Sequence, residues 1–556
     1  MKRLALTIVM ILLFSLVSTT TASNYTNVSV GEAKAMIDSN PSMVILDVRT
    51  LSEYNSGHIR NTLHIPVAQL GGRLDELDVD DEILVYCGSG GRSASASQLL
   101  VDNGFSHIYN MLGGITAWIG AGYPVYIKYT SIQNAINTAN EGDTIYVSSG
   151  TYYENVLVNK SVSLQGENTY RTIIDGRSQK PYAVNVTANK VNISGFSIRN
   201  EEIYPFEWSS GIYVYSSHNN ISHNIISNNI NNGINLEFSS NNTITHNQIY
   251  LNHLYGIRVY FSTNNTISNN HVFLNQASGL YLVVSHNNTI TGNNVTSNRD
   301  MGIWLMSSDY CKVSDNIVYN NTNGIYLTSN HIIVSHNNVS HPSPPDNLYG
   351  IYLRTASNCT VLKNHVSNHS SGIFLLLESN GNIISYNTVS DCSKGLSLVS
   401  HIENNSIFIN TFSRTGRAIE ILDSSHSNML VWNNFVEYDD VLIGNDPPNV
   451  WDNGRWGNYW SNYNGSDLDD DGVGDTDLPW EGVDNYPLMN LFWNIGDVDH
   501  DFDVDIFDVV KAAGIYGSTS ADPNWNPHCD IAEPYGIIDI FDLVMIANSY
   551  GEEYNP

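Results

Sequence analysis

Basic residues are scarce in this chain of 556 residues: 24 Lys and Arg stand against 55 Asp and Glu, a formal charge of −31. So acidic a chain excludes nucleic acid and anionic membrane surfaces as partners, because both recruit proteins through clustered positive charge. Cations are the partners it invites, and the acids crowd after Asp467. Cysteine is scarcer still. Cys87, Cys311, Cys359, Cys392 and Cys529 are too few and too scattered for a disulfide framework, so stability is expected from stacked backbone and bound calcium. Long apolar runs are missing beyond the first residues. Met1-Lys2-Arg3, the apolar stretch Leu4 to Val17 and the small residues Thr20-Thr21-Ala22 read together as a secretory leader over residues 1–22. A run of about 14 is short for a bilayer-spanning helix. The expectation is a secreted protein, extracellular or at the cell surface, with no membrane span in the mature chain. A close carboxylate pair is lacking too: Asp300, Asp309, Glu378 and Asp423 fall at different places in their local repeats, which argues against a polysaccharide hydrolase or lyase centre there.

What is present in abundance is repetition. Gly233, Gly256, Gly279 and Gly302 open successive Gly-Ile/Leu-x-Leu/Val turns 23 residues apart, and Gly324, Gly350, Gly372 and Gly395 continue the series. A period this short means a solenoid. Apolar residues alternate inside each copy, as in Gly350-Ile351-Tyr352-Leu353, which is strand periodicity. Asn224, Asn247, Asn270, Asn293 and Asn316 keep the same spacing, and Asn364, Asn387 and Asn410 resume it. Such columns predict Asn ladders inside the turns of a right-handed parallel β-helix, each side-chain amide bonding the next coil.

Residues 27–127 differ in kind. Helix-like stretches such as Gly31 to Ser39 alternate with apolar strands such as Met43-Val44-Ile45-Leu46 and Ile83-Leu84-Val85-Tyr86, an α/β pattern. The second strand ends at Cys87 and runs into Gly88-Ser89-Gly90-Gly91-Arg92-Ser93 before a helix-compatible run. A loop of that composition at a helix N-terminus can turn its amides toward one point and cradle an anion. A thiol there has a lowered pKa and is a nucleophile, and Arg92 adds a fixed positive charge.

Three separated motifs make this segment resemble a single rhodanese domain along nearly its whole length. They are Asp47-Val48-Arg49 with Glu53-Tyr54 and Gly57-His58-Ile59, the Cys87 to Ser93 loop, and Gly113-Gly114-Ile115-Thr116-Ala117-Trp118 with Gly122-Tyr123-Pro124-Val125. The resemblance implies a sulfurtransferase: Cys87 takes a sulfane sulfur from a donor such as thiosulfate and passes it to a thiol or cyanide acceptor. The loop amides and Arg92 would hold the anion, and Asp47, Arg49 and Glu53 would support the strand ends. Asn61-Thr62 departs from the family, which usually has Gly-Ala there.

From Ser131 to Met489, within residues 128–492, the chain resembles the NosD-like group of parallel β-helix proteins, related to carbohydrate-active β-helices. The amphipathic stretch Ser131 to Ala139 reads as a helix capping the solenoid's open end. That group is sometimes labelled copper-binding or sugar-processing, and no copper motif transfers to particular residues here. The first outward column reads Tyr213, Asn235, Arg258, Tyr281, Trp304, Tyr326, Tyr352, Phe374, Ser397, Glu420. Neighbours in such a column lie about 4.8 Å apart, so Tyr281, Trp304, Tyr326, Tyr352 and Phe374, flanked by Arg258 and Arg354, form a candidate stripe for a polysaccharide or glycan. Aromatic stacking that only stabilises the β-helix is the competing reading.

The acidic end offers oxygen ligands. Asp467, Asp469, Asp471 and Asp475 alternate around Gly472 and can wrap a hard cation, calcium above all. Asp497, Asp499, Asp501, Asp503, Asp505 and Asp508 occupy positions 1, 3, 5, 7, 9 and 12 of a second loop, followed by a helix-like Val509 to Tyr516. Phe502 replaces the usual glycine. A poorer copy runs through Asp530, Asp539 and Asp542. The duplication over residues 494–552 resembles a type I dockerin, a small α module with EF-hand-like loops. The resemblance implies two calcium ions and docking onto a cohesin-like domain; one extra residue between Asp530 and Asp542 leaves the second ion open. No organic cofactor is expected. The composite expectation is a secreted sulfurtransferase on a β-helix scaffold moored through a dockerin. The alternative is a carbohydrate-binding or polysaccharide-processing scaffold whose rhodanese fold is an adaptor.

Overall fold

The computed structural model describes residues 25–492 apart from 178–179, 202–208, 344–347, 445–447 and 470, and near the carboxy-terminal end 506–519, 529, 538, 543 and 546. The leader over 1–22 lies outside the described residues, as do Asp497, Asp499, Asp501, Asp503, Asp505, Asp530, Asp539 and Asp542. The described chain divides into two compact units. One takes in the residues up to Ala135 with Thr144–Gly150 and Leu164–Thr172, and the other the remainder.

The first unit is the expected α/β domain. Its five strands are β1 (Thr26–Val28), β2 (Val44–Asp47), β3 (Leu63–His64), β4 (Glu82–Tyr86) and β5 (His107–Met111), all parallel, in the order β1-β5-β4-β2-β3. Between them lie α1 (Val30–Ser39), α2 (Leu51–Asn55), α3 (Val67–Leu70) and α4 (Gly91–Asp102), and α5 (Gly114–Gly120) follows β5. The first two helices start where the sequence places reciprocal capping boxes, Ser29 with Glu32 and Thr50 with Glu53. Apolar clusters cover both faces of the sheet, one around Leu46, Ile83, Val85 and Leu100 and the other around Ile45, Leu84, Tyr86 and Trp118. A parallel sheet buried on both sides is why its strands read as unbroken apolar runs.

Glu167 is a buried charge of this unit. It accepts from His58 Nε2 at 3.0 Å, from the Asn61 amide at 3.1 Å and from the Ser149 amide at 2.8 Å. Asn61 sits in the left-handed region at φ 57°, a conformation asparagine tolerates. Thr62 donates its hydroxyl to the Ile59 carbonyl and receives the Tyr86 hydroxyl at 3.4 Å. The Asn61-Thr62 departure is therefore accommodated by a local turn and a carboxylate that holds it.

The second unit contains a right-handed parallel β-helix. Each regular coil has three short strands, as in Gln248–Tyr250, Ile257–Tyr260 and Thr266–Ser268, and each strand pairs in parallel with the one a coil further on. The outward column holds register throughout: Tyr213 pairs with Asn235, then Arg258, Tyr281, Trp304, Tyr326, Tyr352, Phe374, Ser397 and Glu420 in turn. The repeated glycines have no room for a side chain. A Cβ on Gly233 would stand 2.6 Å from Ile249 Cγ2 and 2.7 Å from the Gly256 carbonyl.

The Asn ladder runs as expected and further. Asn270 donates both its backbone amide and its Nδ2 to Asn293 Oδ1, each at 3.0 Å, while its Oδ1 takes the same pair from Asn247. Nδ2 also reaches the carbonyls of Ile244 and Ser268. The residue before each ladder asparagine is left-handed: His223, His246, Asn269, Gly292 and Asp315. That slot explains the stacked rings of His223 and His246, 5.0 Å apart and parallel to within 1°, as a turn column. Cys311 and Cys359 take asparagine places in a second ladder, where their sulfurs accept from the amides of Asn288 and Ile332. Asn337, Asn433 and Asn458 extend the first ladder, which ends on the buried carboxylate of Asp484. Near the chain end, α6 (Ile506–Gly514) contributes Ala512 to a small core with Cys529, Ile538 and Ile546.

Candidate active site

The Cys87 loop joins β4 to the N-terminus of α4. Its thiol is buried, with the Gly90 amide donating to Sγ at 3.2 Å and the Ser93 hydroxyl at 3.5 Å. Burial pushes the thiol up, but the hydroxyl and amide of Ser93 and the amides of Gly90 and Ser89 outweigh it, so the pKa lies below that of an ordinary cysteine. Gly90 makes the bend at φ 106°, open to glycine at little cost. The geometry favours a thiolate facing a ring of amides.

The third motif shapes this loop from outside. The Ile115 amide donates to the Cys87 carbonyl at 2.8 Å, and the Thr116 amide and hydroxyl donate to the Gly88 carbonyl at 3.1 and 2.9 Å. Two carbonyls are thereby pinned to the start of α5, leaving the loop amides for the sulfur. Thr116 is a residue that sequence reasoning passed over as motif filler. Its signal is the hydroxyl at the third position of a helix that begins Gly-Ile-Thr.

Asp47 and Arg49 form a buried pair at the end of β2. Arg49 Nε meets both Asp47 oxygens at 3.0 Å, and Nη2 also donates to the Gly57 carbonyl at 2.7 Å. The Arg49 guanidinium also lies over the Tyr86 ring, 5.5 Å from its centroid. They brace the strand ends. Glu53 does more than brace: it receives Arg92 in a two-pronged bond, Nη1 to Oε2 at 2.8 Å and Nη2 to Oε1 at 2.6 Å. Both groups are half-buried. Arg92 together with the Thr50 cap holds the Glu53 carboxyl well below the usual range, and Glu53 keeps Arg92 firmly charged.

The other candidate sites lie in the second unit. In the aromatic stripe Tyr281, Trp304, Tyr352 and Phe374 are half-buried and Tyr326 is buried. Its rings stack on one another along the column: Tyr281 to Trp304 at 4.4 Å, Trp304 to Tyr326 at 5.8 Å, Tyr326 to Tyr352 at 4.6 Å and Tyr352 to Phe374 at 5.1 Å, with interplanar angles from 15° to 33°. Their faces turn toward each other, an arrangement in which stacking stabilises a β-helix wall. Arg258 lies over Tyr260, its centroid 4.4 Å away, and Arg354 is exposed at the end of its strand.

In the acidic loop, ligand oxygens of Asp467, Asp469 and Asp475 lie within 4.8 Å of one another. Asp471 stands outside this trio, with Oδ1 taken by the Val473 amide at 2.9 Å. Of the dockerin-like acids, only Asp508 is described; it is buried on α6.

Comparison with known proteins agrees with both architectures. The family described as rhodanese-like domain matches residues 29–121, and the family described as periplasmic copper-binding protein (NosD) matches 136–306 and 296–465. The putative sulfur carrier protein YrkF of Bacillus subtilis is 37% identical over 103 residues, 18% of this chain and 56% of YrkF. The thiosulfate sulfurtransferase GlpE of Coxiella burnetii is 40% identical over 76 residues, 14% of this chain and 71% of GlpE. A rhodanese-related protein of Thermoplasma volcanium, of known crystal structure, is 33% identical and is covered over 100% of its length by 19% of this chain, with a TM-score of 0.18. This chain spans just over half the length of YrkF.

The copper in the NosD family description finds no fitting donor set among the described residues. Among the described residues, the grouping of three metal-ligating side chains is the carboxylate trio Asp467, Asp469 and Asp475, hard oxygen donors better matched to calcium than to copper. Among the described residues no helix is long and apolar enough to cross a membrane. With NosD matches extending over more than half of its length and a rhodanese-like domain ahead of them, the chain belongs to the NosD family and carries an amino-terminal domain of the rhodanese-like family.

Proposed function

We propose that the amino-terminal domain is a working sulfurtransferase in which Cys87 carries the sulfur. The observation that supports this most is the lowered Cys87 thiol with the Gly90 amide and Ser93 hydroxyl aimed at its sulfur. The Cys87 thiolate attacks the outer sulfur of a sulfane donor, the donor's S–S bond breaks, and the leaving group departs with its electron pair. With thiosulfate the leaving group is sulfite. The resulting persulfide lies within the loop amides until a thiol or cyanide removes its outer sulfur and regenerates Cys87. The likeness to a thiosulfate sulfurtransferase supports this reading. Incubation of the full chain with a sulfane donor, followed by mass analysis of the Cys87 peptide, should show the gain of one sulfur atom. Cys87→Ser should show none; equal loading of the variant would end the proposal.

The domain is further proposed to be exported and moored. The acidic trio supports calcium at Asp467, Asp469 and Asp475. The buried Asp508 on α6 and the small core of Ala512, Cys529, Ile538 and Ile546 are compatible with a dockerin-like module that binds a cohesin-like partner. Calcium should raise the melting temperature of the full chain, and Asp467→Ala with Asp469→Ala should remove part of that rise. A melting temperature indifferent to calcium in the wild type refutes this half of the proposal.

A further inference from the structure

The mouth of the Cys87 cradle holds an ion pair where a free cation was expected. Arg92 gives two of its donors to Glu53. The pair overhangs the loop: a Cβ on Gly88 would lie 3.2 Å from Arg92 Nη2 and 3.9 Å from Glu53 Oε1. Glu53 is itself fixed, because Oε2 also accepts from the Thr50 hydroxyl at 2.7 Å and the Thr50 amide at 3.0 Å. A carboxylate so anchored cannot swing aside without breaking the cap of α2.

A dianionic donor such as thiosulfate must therefore compete for the Arg92 donors and approach a fixed negative charge. An alkyl persulfide presents a single outer sulfur without a charged sulfonate head, and needs only the loop amides. We infer that Glu53 sets the donor class, so that this chain draws its sulfur from low-molecular-weight persulfides in preference to thiosulfate. The inference rests on the sulfurtransferase reading of Cys87. In the step it favours, the Cys87 thiolate bonds the outer sulfur of R–S–SH, the original S–S bond breaks, R–S⁻ leaves with its electron pair, and the hydrogen stays on the transferred sulfur. Glu53 touches neither sulfur; it acts as a positioning residue through Arg92.

Glu53→Gln tests it cleanly, because glutamine at this position still completes the capping box with Thr50 and so preserves the fold. The full-length wild type and variant are compared with thiosulfate and with glutathione persulfide as donors and cyanide as acceptor. The ratio of kcat/KM for thiosulfate to that for the persulfide should rise about fivefold in the variant, a size fitting for one half-exposed charge. The change should fall on the KM for thiosulfate. If the wild type loads Cys87 and the ratio stays within about twofold in Glu53→Gln, the inference is overturned while the sulfurtransferase reading stands. If neither donor loads Cys87 in the wild type, both fall together.

Discussion

Gly114 lies so close to Cys87 that a Cβ placed on it would stand 2.4 Å from the Cys87 carbonyl oxygen and 2.7 Å from the carbonyl carbon and oxygen of Gly88. Its φ of 55° adds a conformation that only glycine takes freely. The backbone of the nucleophile's loop thus rests directly on the first turn of α5. Gly114→Ala must push the loop away, misdirecting the amides that lower the thiol. Persulfide loading of Cys87 should slow ~10-fold or more, from overpacking of the order of 1–3 kcal/mol. Loading at the wild-type rate would show that the clamp does not shape the nucleophile.

Much of this was legible in the residues. The Cys-Gly-Ser-Gly-Gly-Arg-Ser loop announced an anion cradle, and the recurring Gly-Ile/Leu-x-Leu/Val motif gave the column register from Tyr213 to Glu420 even where coils differ in length, because each strand pairs with its equivalent one coil further on. What could not be read is what depends on side-chain direction. Periodicity placed Tyr281 to Phe374 in one outward column, yet rings spaced by one strand separation satisfy one another before they meet solvent. Arg92 looked like a free cation because its partner lies 39 residues back, on a helix whose end only the fold brings to the loop. Glu167 carried no signal at all: its partners His58 and Asn61 are separated from it by more than 100 residues of sequence.

The ladder makes its own forecast. Asn270 needs an acceptor toward Asn247 and donors toward Asn293, Ile244 and Ser268. Asn270→Asp keeps the shape and the acceptor toward Asn247 but removes the Nδ2 donor, setting a second carboxylate oxygen against the Ile244 and Ser268 carbonyls and Asn293 Oδ1. A loss of about 3 kcal/mol is expected. Hydrogen exchange should localise it to the coils on either side, since each coil contacts only its neighbours. Uniform exchange across the β-helix would contradict the nearest-neighbour picture.

Acid should loosen the first unit through Glu167. Burial raises its carboxyl, but bonds from His58 and Ser149 outweigh burial and leave it below the ordinary value of 4.5. A lowered folded value means stability fully present above the unfolded value and lost as pH falls through the folded one. Glu167→Gln should cost about 2 kcal/mol near neutral pH, read from exchange of the β2 and β4 amides. The gap between variant and wild type should shrink as pH drops below 4.5. A gap that widens in acid would mean that the carboxylate is not the group being held.

Asp484 closes the ladder, and its surroundings are all donors. Oδ2 receives the Asn458 amide at 2.9 Å, Asn458 Nδ2 at 3.4 Å and Trp460 Nε1 at 2.9 Å, while Oδ1 receives the Tyr486 amide at 3.0 Å. An asparagine in its place would satisfy one side and set an NH2 group against donors on the other. An acid suits this last rung because no described residue beyond it offers an acceptor that an amide NH2 would need. Asp484→Asn should therefore destabilise the final coils by about 2 kcal/mol, the cost of buried donors left unmatched. Burial outweighs these bonds and raises the Asp484 carboxyl. A raised acid favours the fold more as it protonates, so the wild type should hold this end better in mild acid than at neutral pH, and the asparagine variant should lack that gain. Trp460, packed on Phe435 with centroids 4.3 Å apart, supplies a fluorescence reporter for the end coils. If its signal melts identically in variant and wild type across that pH range, Asp484 does not terminate the ladder as the hydrogen bonds indicate.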